Sequence, residues 1–272
     1  MEIREKNVDR STSLQQPGQG LKILYRIGAA AAILAAVFRR NFDAEYYVLR
    51  EFGIFNSGPL AAPDTIAGWF ELLQENPLIA FTLLSGFDLF NYLFVAILVL
   101  ALWGNLGRTS KKWSTTAGIL GFAGTVYYAA TNKAFVLLSL SSQFPPANHT
   151  GQTSLLNKGK SLLAVFESNS YAGTGLYPSF LLISTALLIL SVLMLHSPDF
   201  SRRTALLGIL ANGFGLGYYI FLMLFPGLVF VPLSISAVFL LAWYLSLAYQ
   251  LLKLANNHFK KPFRTPEPVC SR

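Results

Sequence analysis

Charge is scarce in this 272-residue chain. Only 12% of the residues are Asp, Glu, Lys or Arg, about half the roughly 25% of an ordinary soluble domain. So little charge cannot cover the surface of a soluble globule of this length. Disorder is excluded by the opposite number, because 53% of the residues are hydrophobic and a disordered chain is poor in them. Cysteine is scarcer still. Cys270 stands alone, which rules out an internal disulfide, a CxxC redox pair and a thiolate metal cage. Cys270-Ser271-Arg272 is also the wrong length for a prenylation signal.

Histidine is the third shortage. There are three, His149, His196 and His258, and only His196 touches a long apolar run. A haem held by two axial histidines inside a helix bundle and a His-rich zinc site are both excluded. No HExxH, GxSxG, Walker loop or GxGxxG fingerprint is present. The sequence therefore assigns no cofactor, no metal ligands and no catalytic residues, and it leaves enzymatic activity open as the less favoured reading.

Long apolar runs are abundant. Six reach the length needed to cross a hydrocarbon core of about 30 Å: residues 21–38, 78–103, 117–142, 176–196, 204–225 and 228–252. They are continuous rather than alternating, which excludes the strands of a membrane barrel. The expected fold is an all-α polytopic membrane protein of six transmembrane helices. A polar tail (1–20) precedes the membrane domain (21–253) and a basic tail (254–272) follows it. The first run is read as a retained helix, because it ends in Val37-Phe38-Arg39-Arg40 rather than in small residues.

Lys and Arg set the orientation. With the N-terminus inside, 15 of the 21 fall on the inner side and five on the outer, with Lys133 inside a span. That asymmetry predicts both termini in the cytoplasm and a cell-membrane location. It also accounts for the net charge of +8 without nucleic acid.

Two outer loops are long. In 39–77, Pro63-Asp64-Thr65 starts a helix whose Ile66, Trp69, Phe70 and Leu73 share a face, and Asn76-Pro77 ends it. This predicts a short amphipathic helix with Trp69 at the headgroups. In 143–175, Leu155, Leu156, Leu162, Leu163 and Phe166 again have helical spacing, and Asn148-His149-Thr150 matches a glycosylation sequon.

Two ionisable residues lie well inside the apolar runs, Asp88 and Lys133. Counting 1.5 Å per residue puts both about 15 Å from the outer end of their runs, which predicts an Asp88–Lys133 ion pair. Ser85, Asn91, Tyr128, Asn132 and Asn212 are polar residues of the same or neighbouring runs. Together they make a candidate polar interior in the outer half of the membrane, because an ionisable group in a span marks a functional site by default. Two readings stand beside each other. The pair holds a small or amphipathic ligand, with or without transport, or it is structural glue in an auxiliary subunit of a larger membrane complex. An intramembrane enzyme ranks last. The bilayer is the expected environment, and glycines such as Gly213 and Gly217 offer a seam for a membrane partner or a second copy.

Lys111-Lys112, Gly118-Ile119-Leu120 and Tyr127-Tyr128 are echoed by Arg202-Arg203, Gly208-Ile209-Leu210 and Tyr218-Tyr219. Ser201-Arg202-Arg203, Gly208 to Asn212 and the run Ile235 to Tyr244 resemble an uncharacterised prokaryotic family of six-span membrane proteins, a domain of unknown function. The resemblance covers about residues 20–253. It implies the six-span layout and supplies no activity or site, and the long acidic loop before the second run departs from it.

Overall fold

A computed structural model describes residues 19–38, 63–84, 86, 88–167 and 176–257. Ser85, Arg39, Arg40 and the tail residues 1–18 and 258–272 lie outside the described residues. Ten α-helices are described: α1 (Gln19–Phe38), α2 (Ile66–Glu75), α3 (Pro77–Leu83), α4 (Asp88–Leu106), α5 (Lys111–Thr131), α6 (Ala134–Gln143), α7 (His149–Glu167), α8 (Leu176–Leu195), α9 (Arg202–Leu224) and α10 (Phe230–Asn257). No strand occurs among the described residues.

Five of these helices, α1, α4, α8, α9 and α10, are long and apolar enough to cross a membrane. They belong to a closed ring. α1 packs on α4, α4 on α5, α5 on α8, α8 on α9, α9 on α10, and α10 returns to α1, while α4 also touches α8 across the middle. Leu98, Leu102, Leu190, Met194, Trp243 and Leu247 fill the centre. The outside of the ring is apolar too. Ile119, Val126, Met223, Val238 and Tyr249 are each more than half exposed. A soluble monomer rarely shows so much apolar surface, whereas a bilayer solvates it. Together these features describe a multi-pass, membrane-embedded helical protein.

α5 is the exception in composition. Lys111, Lys112, Ser114, Thr115, Thr116 and Thr125 dilute its apolar character. Its inner face is made of small residues. A Cβ on Gly118 would touch Trp103, one on Gly121 would meet Val99 at 3.0 Å, and one on Gly124 would come within 2.7 Å of Ile183. These glycines let α5 sit close against α4 and α8. The two similar segments, α5 and α9, flank α8 on its two sides.

The remaining helices, α2, α3, α6 and α7, form a second unit with its own core of Trp69, Phe70, Leu73, Leu84, Leu137 and Leu155. We call this unit the cap. α2 forms where the sequence places it. The Thr65 hydroxyl accepts from the Gly68 amide at 3.1 Å, satisfying one of the donors left free at a helix start. Trp69 does not face the headgroups. It is buried in the cap core, because α6 and α7 cover the apolar stripe of α2. Gly159 permits that approach, since a Cβ there would come within 2.6 Å of Ile66. Gln74 ties α2 to α6 by donating to the Ser141 carbonyl at 2.9 Å.

The second and third apolar runs are not the continuous helices expected. Run 78–103 breaks between α3 and α4, and run 117–142 breaks between α5 and α6. At the first break the Gly86 amide donates to the Phe81 carbonyl at 2.8 Å, the six-to-one bond that closes helix ends. The Phe81 ring packs so close to Gly86 that a Cβ would collide with it. Asp88 then restarts the chain as the first residue of α4, a position acidic residues favour. At the second break the Asn132 side chain takes the place of a backbone acceptor. Its Oδ1 accepts from the Ala134 amide at 3.0 Å, a local bond that competes with helix continuation.

Candidate functional site

The two breaks bring a polar cluster together. Asp88, the first residue of α4, is 8% exposed, Asn91 8% and Asn132 9%. Asp88, Asn91, Tyr92 and Val95 make one buried stripe of α4, as residues three and four apart must. Tyr92 lies flat on Tyr128 of α5, with ring centroids 4.1 Å apart and an interplanar angle of 7°. The stacking fixes where the Tyr128 hydroxyl goes. It donates to Asp88 Oδ2 at 3.3 Å and accepts from Asn132 Nδ2 at 3.2 Å. Asn132, Tyr128 and Asp88 thus form a chain of side-chain bonds across the α4–α5 seam.

Asn91 stands out. Its Oδ1 is buried and has no hydrogen-bond partner. An orphaned acceptor of this kind costs about 1–3 kcal/mol, so its retention beside Asp88 calls for an explanation.

The Asp88–Lys133 ion pair does not form among the described residues. Lys133 is half-buried between α5 and α6, and its ammonium makes no hydrogen bond or ion pair there. The reason lies in the breaks. α4 alone is 19 residues long, about 28 Å, and its apolar window starts at Asp88. Asp88 therefore marks one end of a span instead of its middle, where the positive end of the α4 dipole stabilises it. Lys133 follows the negative end of α5 and precedes the positive end of α6, two effects that oppose each other.

Asn212 belongs elsewhere. On α9 its Nδ2 donates to the Gly208 carbonyl of its own helix at 2.8 Å. Of the predicted site residues, the structure joins Asp88, Tyr128 and Asn132 by hydrogen bonds and places Asn91 on the Asp88 face. No three His, Cys, Asp or Glu side chains converge among the described residues.

A second polar network lies at the opposite end of the ring. Asn105 Nδ2 donates to the Tyr25 hydroxyl at 2.7 Å and to Asp199 Oδ2 at 2.9 Å. This ties α1, α4 and the α8–α9 connection. Gln250 of α10 donates from Nε2 to Ser201 Oγ at 2.6 Å and to Thr204 Oγ1 at 2.7 Å, and its Oε1 accepts from the Ser201 amide at 2.9 Å. Both networks escape a reading by apolar runs. The signals were an Asn and a Gln at the ends of runs, beside basic loops.

No family model matches this chain, and neither a curated protein nor a solved structure does. Function must therefore be argued from the site alone.

Proposed function

We propose that the chain is a six-span protein of the cell membrane, with both termini in the cytoplasm, that binds a small solute at the Asp88–Asn91–Tyr128–Asn132 junction. Membership of the ring supports counting α5 as the sixth span. It is 21 residues long, about 31 Å, and packs against both α4 and α8. The orientation is supported by the Asn105 and Gln250 networks, which gather the ends carrying Arg26, Arg108, Arg202, Arg203 and Lys253. That end is the basic one and belongs inside. The Asp88 junction then faces outward, beneath the cap.

The observation that carries the binding reading is the juxtaposition of two interrupted helices with a buried, unpartnered acceptor. Interrupted helices in membrane bundles expose backbone and polar side chains where solutes bind. The test is the thermal unfolding midpoint of the purified full chain in detergent with glucose, inorganic phosphate, glycine or ethylammonium, against choline chloride at equal ionic strength. At least one probe is expected to raise the midpoint of the wild type. Tyr128→Phe, which keeps the stack on Tyr92 and removes the hydroxyl, is expected to halve that rise or more. A midpoint indifferent to every probe overturns the reading.

A further inference from the structure

We propose that the lipid-facing stripe of α8 seats an anionic phospholipid with two phosphates, its headgroup held between Lys111-Lys112 and Arg202-Arg203. The solute junction lies at the other end of the ring, so neither site depends on the other.

The two basic pairs lie at one level. Asn105, in the last turn of α4, donates to Asp199 between α8 and α9 at 2.9 Å. α4 stops at Leu106 and α5 starts at Lys111, while α8 stops at Leu195 and α9 starts at Arg202. Both pairs therefore begin helices at the end of the ring where α8 stops. Those helices pack on opposite flanks of α8. Gly124 of α5 lies against Leu182 and Ile183, and Gly208 and Gly215 of α9 lie against Ser191 and Phe180. Between the flanks run positions 181, 188 and 192, whose spacing is that of one helix face. Leu181 is 43% exposed and Val192 41%, and the exposed His196 ends the stripe one turn further on.

Charge complementarity names the occupant. All four cations are exposed, and among the described residues none of them makes an ion pair. Lys112 lies over the half-exposed Trp113 ring at 5.8 Å, and an interfacial Trp marks the headgroup level. The first turns of α5 and α9 hold no acid, so cations crowd helix starts, where they are disfavoured. Asp199, the acid nearest to α9 in sequence, is engaged by Asn105 of α4. An apolar stripe that ends between two such pairs fits acyl chains along it and phosphates at its end. Packed helices lie about 8–10 Å apart, so the pairs start about 20 Å apart across α8. A single phosphate engages one pair, whereas two phosphates joined through glycerol reach toward both. Basic pockets between spans on the cytoplasmic side hold headgroups of this kind.

The experiment is the unfolding midpoint of the purified full chain in detergent. The probes are cardiolipin, phosphatidylglycerol and phosphatidylcholine in mixed micelles at equal phosphate, and inorganic phosphate alone. Cardiolipin is expected to give a saturable rise of about 5 °C over phosphatidylcholine at a hundredfold excess over its apparent dissociation constant. Phosphatidylglycerol is expected to give less than half of it. Replacing all four cations (Lys111→Gln, Lys112→Gln, Arg202→Gln and Arg203→Gln) is expected to abolish the rise. The midpoint in phosphatidylcholine should stay near wild type, as exposed substitutions allow. Either pair replaced alone is expected to weaken the apparent affinity about tenfold, and these two variants decide the matter if the fourfold one does not fold. Arg26→Gln with Lys253→Gln removes two cations from α1 and α10 and is expected to leave the affinity unchanged. A wild-type midpoint no higher in cardiolipin than in phosphatidylcholine overturns the proposal. A full response without the four cations does the same, as does an equal loss in the Arg26 and Lys253 variant, which would mean diffuse charge attraction. A response to phosphatidylglycerol or inorganic phosphate as large as that to cardiolipin also overturns it.

Discussion

The two ends of the helix ring solve the same problem differently. At the end with Asn105, polar side chains join segments far apart in sequence: α1 to α4, α4 to the α8–α9 connection, and α9 to α10 through Gln250. At the end with Asp88, two helices stop and restart, and the bonds run between neighbours on α4 and α5. Beyond that level the chain packs into a separate core, and no cap helix packs extensively against a ring helix. One end is cross-braced, and the other is jointed between α3 and α4 and between α5 and α6. The difference teaches where a binding event can be accommodated. A braced end resists rearrangement, while a joint lets the cap adjust with little loss of ring packing.

The largest expected effect comes from disturbing the braced half. Gly208 of α9 sits where a Cβ would press on Ser191 and come within 2.5 Å of Trp243 Nε1, and Trp243 is fully buried. Gly208→Val is expected to cost about 3 kcal/mol or more through overpacking. It should show as loss of the monodisperse folded species in detergent, or as a midpoint drop of roughly 6–12 °C. A variant that keeps the wild-type midpoint would mean that the α8–α9–α10 packing is looser than the geometry indicates.

A smaller and local effect is expected at the joint. Asn132→Ala removes the acceptor that starts α6 and the donor to Tyr128. The cost is about 1 kcal/mol, as for a lost helix cap. Hydrogen exchange should speed up in residues 134–143 and leave 88–106 unchanged. Equal acceleration in both segments would dissolve the distinction between a braced ring and a jointed cap.

This contrast also measures what the sequence made legible. The stripe Ile66, Trp69, Phe70 and Leu73 and its Thr65 start located α2 to the residue, because a short amphipathic helix with a cap is written in local pattern. The breaks were written just as locally, in Gly86 before Asp88 and in Asn132, yet a search for unbroken apolar length passes over single residues. Run 78–103 therefore looked like one span. The depths of Asp88 and Lys133 inherited the error, and with them the ion pair. The covering of Trp69 by α6 and α7 depended on contacts across about 70 residues of chain, which no local pattern contains.

The smallest effect should come from Gly213, one helical turn and a little more along α9 from Gly208. Nothing lies within 4 Å of a Cβ built on Gly213, and at Gly217 the nearest atom is Pro232 Cβ at 3.9 Å. Gly213→Ala should therefore leave the fold unstrained and gain up to about 1 kcal/mol of helix propensity. That makes the variant a clean probe of the seam that Gly213-x-x-x-Gly217 offers to another helix. If two copies meet there, close backbone approach is what the glycine provides. Gly213→Ala should then lower the dimer fraction in detergent while the monomer's unfolding midpoint holds or rises. If the dimer fraction is unchanged, this face of α9 meets lipid. The braced half of the ring would then use its glycines inward, as Gly208 does, with none kept for a partner.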